Sequence, residues 1–242
     1  MTDRDDPVAR AEYYRSHGLW TDERLGWMVA DVAAHAPDRE FIVIGDERYT
    51  YGEFSRWTEA VGRAWVEAGV RQGDRILIQL PNQIEALVAQ AAAFRIGAVN
   101  VPVVPIYREH ELAYITADCR PAVVVAVPEN RDRIPTDEFD TLLADAGLDP
   151  LRFCVGANVP PGWIRFPPRP TTSTPAPDAS DLPDPLPADE CAIMLYTSGT
   201  TSAPKGVRLS SRAFVSNARA LRTALGFGGD TVFFVCSPLS HL

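Results

Sequence analysis

The sequence predicts an α/β fold with a doubly wound, largely parallel sheet and flanking helices. Short apolar runs alternate with longer segments whose apolar residues recur every three or four positions, which is the pattern of strands alternating with helices. The run at 122–127 is apolar throughout, as expected for a strand covered on both faces. With 242 residues, 46% of them hydrophobic, the chain is long enough to bury a sizeable core.

The N-terminal third is predicted to begin with a disordered tail and to continue with two helices and a hairpin. Residues 1–10 are highly charged and are expected to be disordered. The aromatic-rich stretch Glu12–Trp20 predicts a short helix, and Leu25–Ala34 has helical spacing and stops before Pro37. A hairpin over 41–51 follows, with a Gly-Asp turn between its two strands.

The next region carries the strand and helix alternation that defines the sheet. Thr50 is predicted to cap a long helix with Glu53 as its capping-box partner, and Gly69 ends that helix. The strand Arg75–Leu80 follows, and Asn82 is predicted to cap the helix after it. The remaining units are predicted as a strand at Val99–Val104, a helix at Glu109–Cys119 and a strand at Ala122–Val127.

A change in composition divides the chain into three predicted regions. Prolines crowd residues 156–188, which indicates a linker or a long, partly extended surface connection. We therefore expect an α/β region at 1–155, this proline-rich connection, and a last region at 189–242 that belongs to the same large domain. The last region is predicted to contain a short buried strand at Cys191–Leu195 and further strands at Gly206–Leu209 and Thr231–Cys236.

The stretch Tyr196–Val207, Y-T-S-G-T-T-S-A-P-K-G-V, has the strongest chemical signature of the chain. Small residues let the backbone approach a bulky anion, and consecutive N–H groups and hydroxyls supply donors to it. Lysine adds a positive charge suited to phosphate. The string is not the Walker loop, because Lys205 follows a proline and precedes a glycine. It is either a phosphate-binding loop or an ordinary surface turn, and its order after an apolar strand favours the former.

This stretch resembles the phosphate loop of the adenylate-forming (AMP-binding) superfamily, which includes acyl- and aryl-CoA synthetases. The usual family string, (Y/F)-T-S-G-(S/T)-T-G-x-P-K-G-V, matches throughout except at Ser202, where the family has glycine. If that position needs a positive φ, the added Cβ costs roughly 1 kcal/mol or more. The departure therefore bears on loop mobility and on full activity.

Other segments resemble further parts of the same family. F-R-I-G-A-V-N-V-P-V-V-P, at 94–105, and Y-T-Y-G-E-F, at 49–54, are similar to its first two conserved stretches. The segments Y-Y-R-S-H-G-L-W-T-D-E and V-P-I-Y-R-E-H-E-L look most like cyclohexanecarboxylate- and fatty-acid-type CoA ligases and siderophore aryl-acid ligases. The aryl-acid enzymes usually carry Asn after the pocket His, where this chain has Leu242. That difference favours an alicyclic, aliphatic or simple aromatic acid.

The resemblance implies site residues for an ATP-dependent ligase. Lys205 and the P-L-S-H-L residue His241 would be catalytic, the latter at the acyl pocket near the reacting carboxylate. The loop would bind the β- and γ-phosphates of ATP through Thr197, Ser198, Gly199, Thr200, Thr201, Ser202, Lys205 and Gly206. Mg²⁺ and coenzyme A are the further cofactors that the family implies. The family's adenine, ribose and C-terminal-domain elements would follow Leu242, so we expect this chain alone to be inactive, or to act as a split or non-catalytic assembly module.

Bulk properties exclude several other classes of protein. The net charge is −9, which disfavours nucleic-acid binding because that depends on basic patches. We expect no membrane span, because no run of about 18 apolar residues occurs, and no signal peptide at the N-terminus. The cysteines and histidines are scattered, which favours reduced thiols in a cytoplasmic protein without a metal cluster. A homodimer or a partner chain is expected to cover the apolar strand within 231–242.

Overall fold

The computed structural model describes residues 6–171, 181–197 and 204–240. Its helices are α1 Pro7–Ser16, α2 Leu25–His35, α3 Tyr51–Glu67, α4 Ile84–Arg95, α5 Glu109–Cys119, α6 Pro135–Asp145 and α7 Ser211–Leu225. Its strands are β1 Glu40–Ile44, β2 Glu47–Thr50, β3 Arg75–Gln79, β4 Val99–Pro102, β5 Val123–Ala126, β6 Leu151–Cys154, β7 Ile164–Arg165, β8 Cys191–Thr197 and β9 Lys205–Ser210. None of the helices in these ranges has both the length and the apolar character needed to cross a bilayer.

The main sheet has the strand order β7-β6-β5-β3-β4-β8-β9. Neighbouring strands from β7 to β8 run parallel, and β8–β9 is the one antiparallel pair that the described residues form in this sheet. The hairpin of β1 and β2 forms a separate two-stranded sheet. The prediction of a doubly wound, largely parallel sheet with flanking helices is therefore confirmed.

The two faces of the sheet bury two separate apolar clusters, because side chains alternate along each strand. Ile76 and Ile78 of β3 belong to the cluster that contains the apolar residues of α3 and α4. Leu77, between them, belongs to the other cluster, with Leu112 of α5 and Phe139 of α6. Each face thus carries its own layer of helices, which is the arrangement that a doubly wound sheet requires.

The start of α3 shows how local sequence places a helix. Glu53 N donates to Thr50 Oγ1 at 3.2 Å, and Thr50 N donates to the Glu53 carboxylate at 3.0 Å. Both bonds of the predicted capping box are present, so two N–H groups that a helix start leaves without partners are satisfied. The bond from Thr50 N is the main cause that lowers the pKa of the Glu53 carboxyl.

The predicted boundaries at the N-terminus were wrong. Helix α1 starts at Pro7 and ends at Ser16, whereas the sequence indicated disorder through residue 10 and a helix from Glu12 to Trp20. Asp6 accepts a bond from Val8 N at 2.9 Å and Pro7 occupies the first turn, which is a strong start signal. Gly18, with φ +66°, follows the helix end. Residues 1–5 lie outside the described part.

The prediction that Asn82 caps α4 was also wrong. The residue in the capping position is Gln83, and it makes no side-chain cap bond. Both ends of the Asn82 amide are instead bonded to the segment 237–239, which is more than 150 residues away along the chain. An asparagine before an apolar periodic segment is a common cap, but a distant polar partner competes for the same side chain.

The predicted strand Thr231–Cys236 does not form. The segment has no regular secondary structure, and the side chains of Val232 and Phe234 are 91% and 92% exposed. Phe233 makes an edge-on contact with Phe227, with ring centroids 4.6 Å apart. High strand propensity does not produce a strand unless a neighbouring strand supplies backbone hydrogen bonds, and none of the described strands pairs with this segment.

Parts of the proline-rich connection at 156–188 are packed on the body of the protein. It contains β7, and Trp163, Phe166 and Leu182 are buried. Trp57 Nε1 donates to the carbonyl of Pro167 at 2.8 Å, and the buried Arg95 donates to the carbonyl of Pro183 at 3.0 Å. Proline carbonyls remain free to accept bonds although proline has no N–H.

Helix α6 was not identified from the sequence, although a signal for it was present. It begins with Pro135 at its first turn and has Asp137 and Glu138 in that turn. Proline at the helix start and acidic residues beside the positive end of the helix dipole are both typical of an N-terminus. The buried side chains of Phe139, Leu142 and Leu143 then attach α6 to the sheet.

Candidate functional site

The described ends of the predicted phosphate loop face each other on two paired strands. Thr197 of β8 is the register partner of Lys205 of β9, and Tyr196 is the partner of Gly206. The hairpin therefore brings together both ends of the glycine- and hydroxyl-rich stretch. The predicted residues Ser198, Gly199, Thr200, Thr201 and Ser202, and the second predicted catalytic residue, His241, lie outside the described part of the chain.

Lys205 is exposed at the first position of β9. Within the ranges 6–171, 181–197 and 204–240, no carboxylate oxygen lies within 4.0 Å of its ammonium group. A lysine without an acidic neighbour presents its positive charge to solvent, where an anion can reach it. Its placement next to the hydroxyl-bearing Thr197 is what an anion site needs.

Tyr196 anchors the end of β8 to the neighbouring helix. The residue is 7% exposed, and its hydroxyl donates to Asp118 Oδ2 of α5 at 2.5 Å. Burial is the main cause that raises the pKa of the Tyr196 phenol, and the bond to Asp118 raises it further. The hydroxyl is therefore held protonated as a donor, and the last residues of β8 are fixed before the loop begins.

Gly206 allows the two strands to approach at the base of the loop. A Cβ built on this residue would lie 3.2 Å from Cε1 and from Cζ of the Tyr196 ring. That spacing is tighter than ordinary van der Waals contact, because carbon atoms prefer separations of about 3.5–4.0 Å. Any larger residue at 206 would push against a ring that Asp118 already holds.

A second anchor lies at the opposite end of the same hairpin. Arg212, 6% exposed, donates to the carboxylate of Asp189, to Asp22 Oδ1 at 2.7 Å and to the carbonyl of Thr21 at 2.8 Å. The bond to Asp189 is the first cause that raises the pKa of Arg212, and it lowers the pKa of the Asp189 carboxyl. The N-terminal segment, the start of β8 and the start of α7 are joined at this one guanidinium group.

These anchoring residues were missed by sequence reasoning. Asp118 is 78 residues from Tyr196, and Asp22 is 190 residues from Arg212. No periodic or local pattern links residues at such separations. The site has one signal that is readable in sequence, which is the ordered small-residue string ending in Lys205. The contacts that hold the hairpin in place are tertiary.

In the described part of the chain, no three or more His, Cys, Asp or Glu side chains are grouped so that they could hold a metal ion. Magnesium in nucleotide enzymes is commonly bound through one or two carboxylates together with the phosphates of the substrate. The donor set around Thr197 and Lys205, a hydroxyl and an ammonium group, fits phosphate oxygens rather than a cation.

Comparison with known proteins gives one family match and several relatives. The family model described as AMP-binding enzyme matches residues 29–242. A medium-chain fatty-acid–CoA ligase of Escherichia coli strain K12 is 30% identical over 96% of this chain and 41% of its own length. A salicyl-AMP ligase / salicyl-S-ArCP synthetase of Mycobacterium tuberculosis is 30% identical over 97% of this chain and 41% of its own length.

A solved structure matches nearly all of this chain and likewise less than half of its own length. The apo structure of Mycobacterium smegmatis MbtA has a TM-score of 0.83 and 28% identity, and the match covers 98% of this chain and 43% of MbtA. This chain thus spans about two-fifths of the length of the curated relatives it matches.

Proposed function

The chain belongs to the AMP-binding enzyme family, and on that premise we propose that it is the N-terminal portion of an AMP-forming carboxylate–CoA ligase. The observation that carries the proposal is the pairing of Thr197 with Lys205 at the end of the β8–β9 hairpin. This pairing supports a loop that wraps an anion between its two ends. We also propose that 1–155, the connection 156–188 and 189–242 are parts of one large domain.

The proposed chemistry has two steps. The carboxylate of the substrate attacks the α-phosphate of ATP, which forms an acyl-AMP and releases pyrophosphate. The thiol of coenzyme A then attacks the acyl carbon, forms a thioester and releases AMP. Relatives include both a CoA ligase and a ligase whose name gives a carrier protein as acceptor, so coenzyme A as the acceptor is part of the proposal.

In this scheme the residues of the chain bind and orient the reactants. Thr197, the loop 198–202 and Gly206 surround the β- and γ-phosphates, and Lys205 stabilises the negative charge of the leaving pyrophosphate. The resemblance assigns His241 to the acyl pocket, beside the carboxylate. Mg²⁺, when bound, neutralises phosphate charge. Positioning and charge stabilisation are the main contributions that a protein makes to phosphoryl and adenylyl transfer.

The proposal is tested by ATP–pyrophosphate exchange with a panel of aliphatic, alicyclic and aromatic carboxylic acids. We expect no exchange from the 242-residue chain alone. We expect acid-dependent exchange once a polypeptide corresponding to the rest of the relatives, beyond the part that this chain matches, is added or fused. Omitting the acid provides the control. Exchange by the isolated chain would refute the expected inactivity, and no exchange with any acid in the completed protein would refute the ligase assignment.

A second candidate is a non-catalytic assembly module of the same fold. It is favoured by Ser202, which stands where the family string has glycine. The completed protein would then bind ATP without exchanging pyrophosphate. The reading frame in the DNA after codon 242 separates a longer protein from a naturally short one.

We also propose that a polypeptide surface covers the exposed apolar segment Val232–Val235. This surface belongs to the region that the relatives have beyond the part that this chain matches. Burying a Val or Phe side chain contributes about 1.5–3 kcal/mol each. We expect the double variant Val232→Ser with Phe234→Ser to lose binding to that region in analytical ultracentrifugation, while Val207→Ser, a single exposed apolar residue, keeps it. Self-association of the isolated chain that the double variant abolishes would instead identify a homodimer.

We also propose that the protein is located in the cytoplasm. Cys119, Cys154, Cys191 and Cys236 are all free thiols in the structure. Free thiols persist in reducing compartments. Thiol labelling of the protein in cell extracts would measure whether these four cysteines are reduced in the cell.

A further inference from the structure

The segment Ser237–Leu239 is held on the body of the protein by side-chain amides. Asn82 Nδ2 donates to the carbonyl of Ser237 at 2.9 Å, and Leu239 N donates to Asn82 Oδ1 at 2.9 Å. Gln90 Nε2 donates to the carbonyl of Leu239 at 3.1 Å. The Leu239 side chain packs against the buried cluster of α3 and α4. Three bonds and one apolar contact therefore fix this short stretch.

The preceding residues lack such support. Val232 to Val235 are exposed, and Cys236 is exposed as well. The chain returns to the body at Pro238 and Leu239, and Ser240 is buried at 8% exposure. Asn82 and Gln90 thus mark the point at which the chain returns to the body of the protein.

Gln90 is itself held from the central sheet. Asn100 Nδ2 of β4 donates to Gln90 Oε1 at 3.1 Å. Gln90 is 4% exposed and Asn100 is fully buried. Asn100 is also the register partner of Ile193 in β8, the strand that leads to Thr197. A line of amides therefore joins the strand next to β8, through Gln90, to the backbone at Leu239.

Buried amides are costly unless their hydrogen bonds are made, and a bonded network favours one arrangement of the groups it joins. An apolar pair at positions 90 and 100 would pack in the core without directing the backbone at 239. The amide of Asn82 reproduces the donor and acceptor of a peptide group, so it fixes the register of 237 and 239 as a neighbouring strand would.

We propose that Asn82, Gln90 and Asn100 are positioning residues that set the path of Ser237–Leu239, the backbone that leads in the sequence to His241. The inference rests on the proposed function for the role of His241 at the acyl pocket. It adds that the backbone leading to His241 is tied through Gln90 and Asn100 to β4, the neighbour of β8.

Hydrogen exchange of the Leu239 amide tests the positioning without any ligand. We expect about tenfold faster exchange in Asn82→Leu and in Gln90→Leu, the change expected from losing one hydrogen bond. Asn82→Asp keeps the acceptor for Leu239 N and should retain most of the protection. The matched control is Gln79→Leu, because Gln79 is also buried but donates to the carbonyls of Val104 and Tyr107.

Kinetics of the completed protein test the link to the site. Gln90→Leu is expected to raise the KM for the carboxylic acid about tenfold and to leave the KM for ATP nearly unchanged. A merely structural effect, as expected for Gln79→Leu, would reduce the active fraction without raising the KM for the acid relative to the KM for ATP.

Unchanged exchange of the Leu239 amide in both leucine variants overturns the positioning, and an unchanged KM for the acid overturns its link to the site. Absence of pyrophosphate exchange in the unmodified protein refutes the ligase proposal instead, while the amide data still decide whether Asn82 and Gln90 position the segment.

Discussion

Replacing Lys205 with methionine is expected to lower kcat/KM for ATP in the completed protein by about 100-fold. A hydrogen bond to a charged group contributes about 1.5–3 kcal/mol, and each 1.36 kcal/mol is tenfold in rate. Lys205 has no acidic partner in the described part of the chain, so its charge is free to act on a phosphate. The measurement is ATP–pyrophosphate exchange at saturating acid over a range of ATP concentrations.

Two variants serve as controls for the charge and the position. Arg208→Met removes one positive charge from the same strand, but an odd spacing places residue 208 on the face opposite to Lys205. We expect it to change kcat/KM less than threefold or so, as surface charges far from a site do. Lys205→Arg keeps the charge and should lose less than Lys205→Met. Equal losses in the Arg208 and Lys205 methionine variants would contradict a direct phosphate contact.

Replacing Trp65 with alanine is expected to lower the free energy of unfolding by about 3–5 kcal/mol. Trp65 is fully buried in α3. Its ring makes edge-on contacts with Phe153 and Phe166, at centroid distances of 6.2 and 6.5 Å. The side chain thus joins α3 to β6 and to the proline-rich connection, and its removal leaves a cavity among three segments.

Urea unfolding followed by far-ultraviolet circular dichroism measures this change without depending on tryptophan fluorescence. Trp65→Phe retains an aromatic ring and should be destabilised less. Ile106→Ala is the exposed control, because Ile106 is 72% exposed and surface changes usually stay within about 0.5 kcal/mol. If Trp65→Ala unfolds at the same urea concentration as Ile106→Ala, the α3 core does not carry the stability we assign to it.

Much of the fold could be predicted because its signals are local. The capping box of Thr50 and Glu53, the helix Glu109–Cys119 and the strands around 76, 100 and 124 follow from spacing and composition over a few residues. The two residues of the capping box lie three positions apart, and the apolar residues of the helix and the strands repeat at helical or strand periods. Such features depend little on what the rest of the chain does.

Two of the errors fell where a distant partner, or the lack of one, decides the outcome, whereas the start of α1 and helix α6 were missed although each carries a local signal. Asn82 was expected to cap α4 but bonds to residues 237 and 239 instead. Thr231–Cys236 has a strand composition, yet none of the described strands pairs with it. In the candidate site, the string that ends at Lys205 is readable in sequence, whereas Asp118 and Arg212 became visible only through contacts across 78 and 190 residues.

By itself the sequence determined the α/β class, the family resemblance and the position of the loop between two apolar segments. These depend on residue type and short-range order, which a single chain records directly. The tertiary structure alone decided which side chains hold the hairpin and the segment 237–239. Those contacts depend on the crossing of elements far apart in the chain, because hydrogen bonds act over about 3 Å of space whatever the separation in sequence.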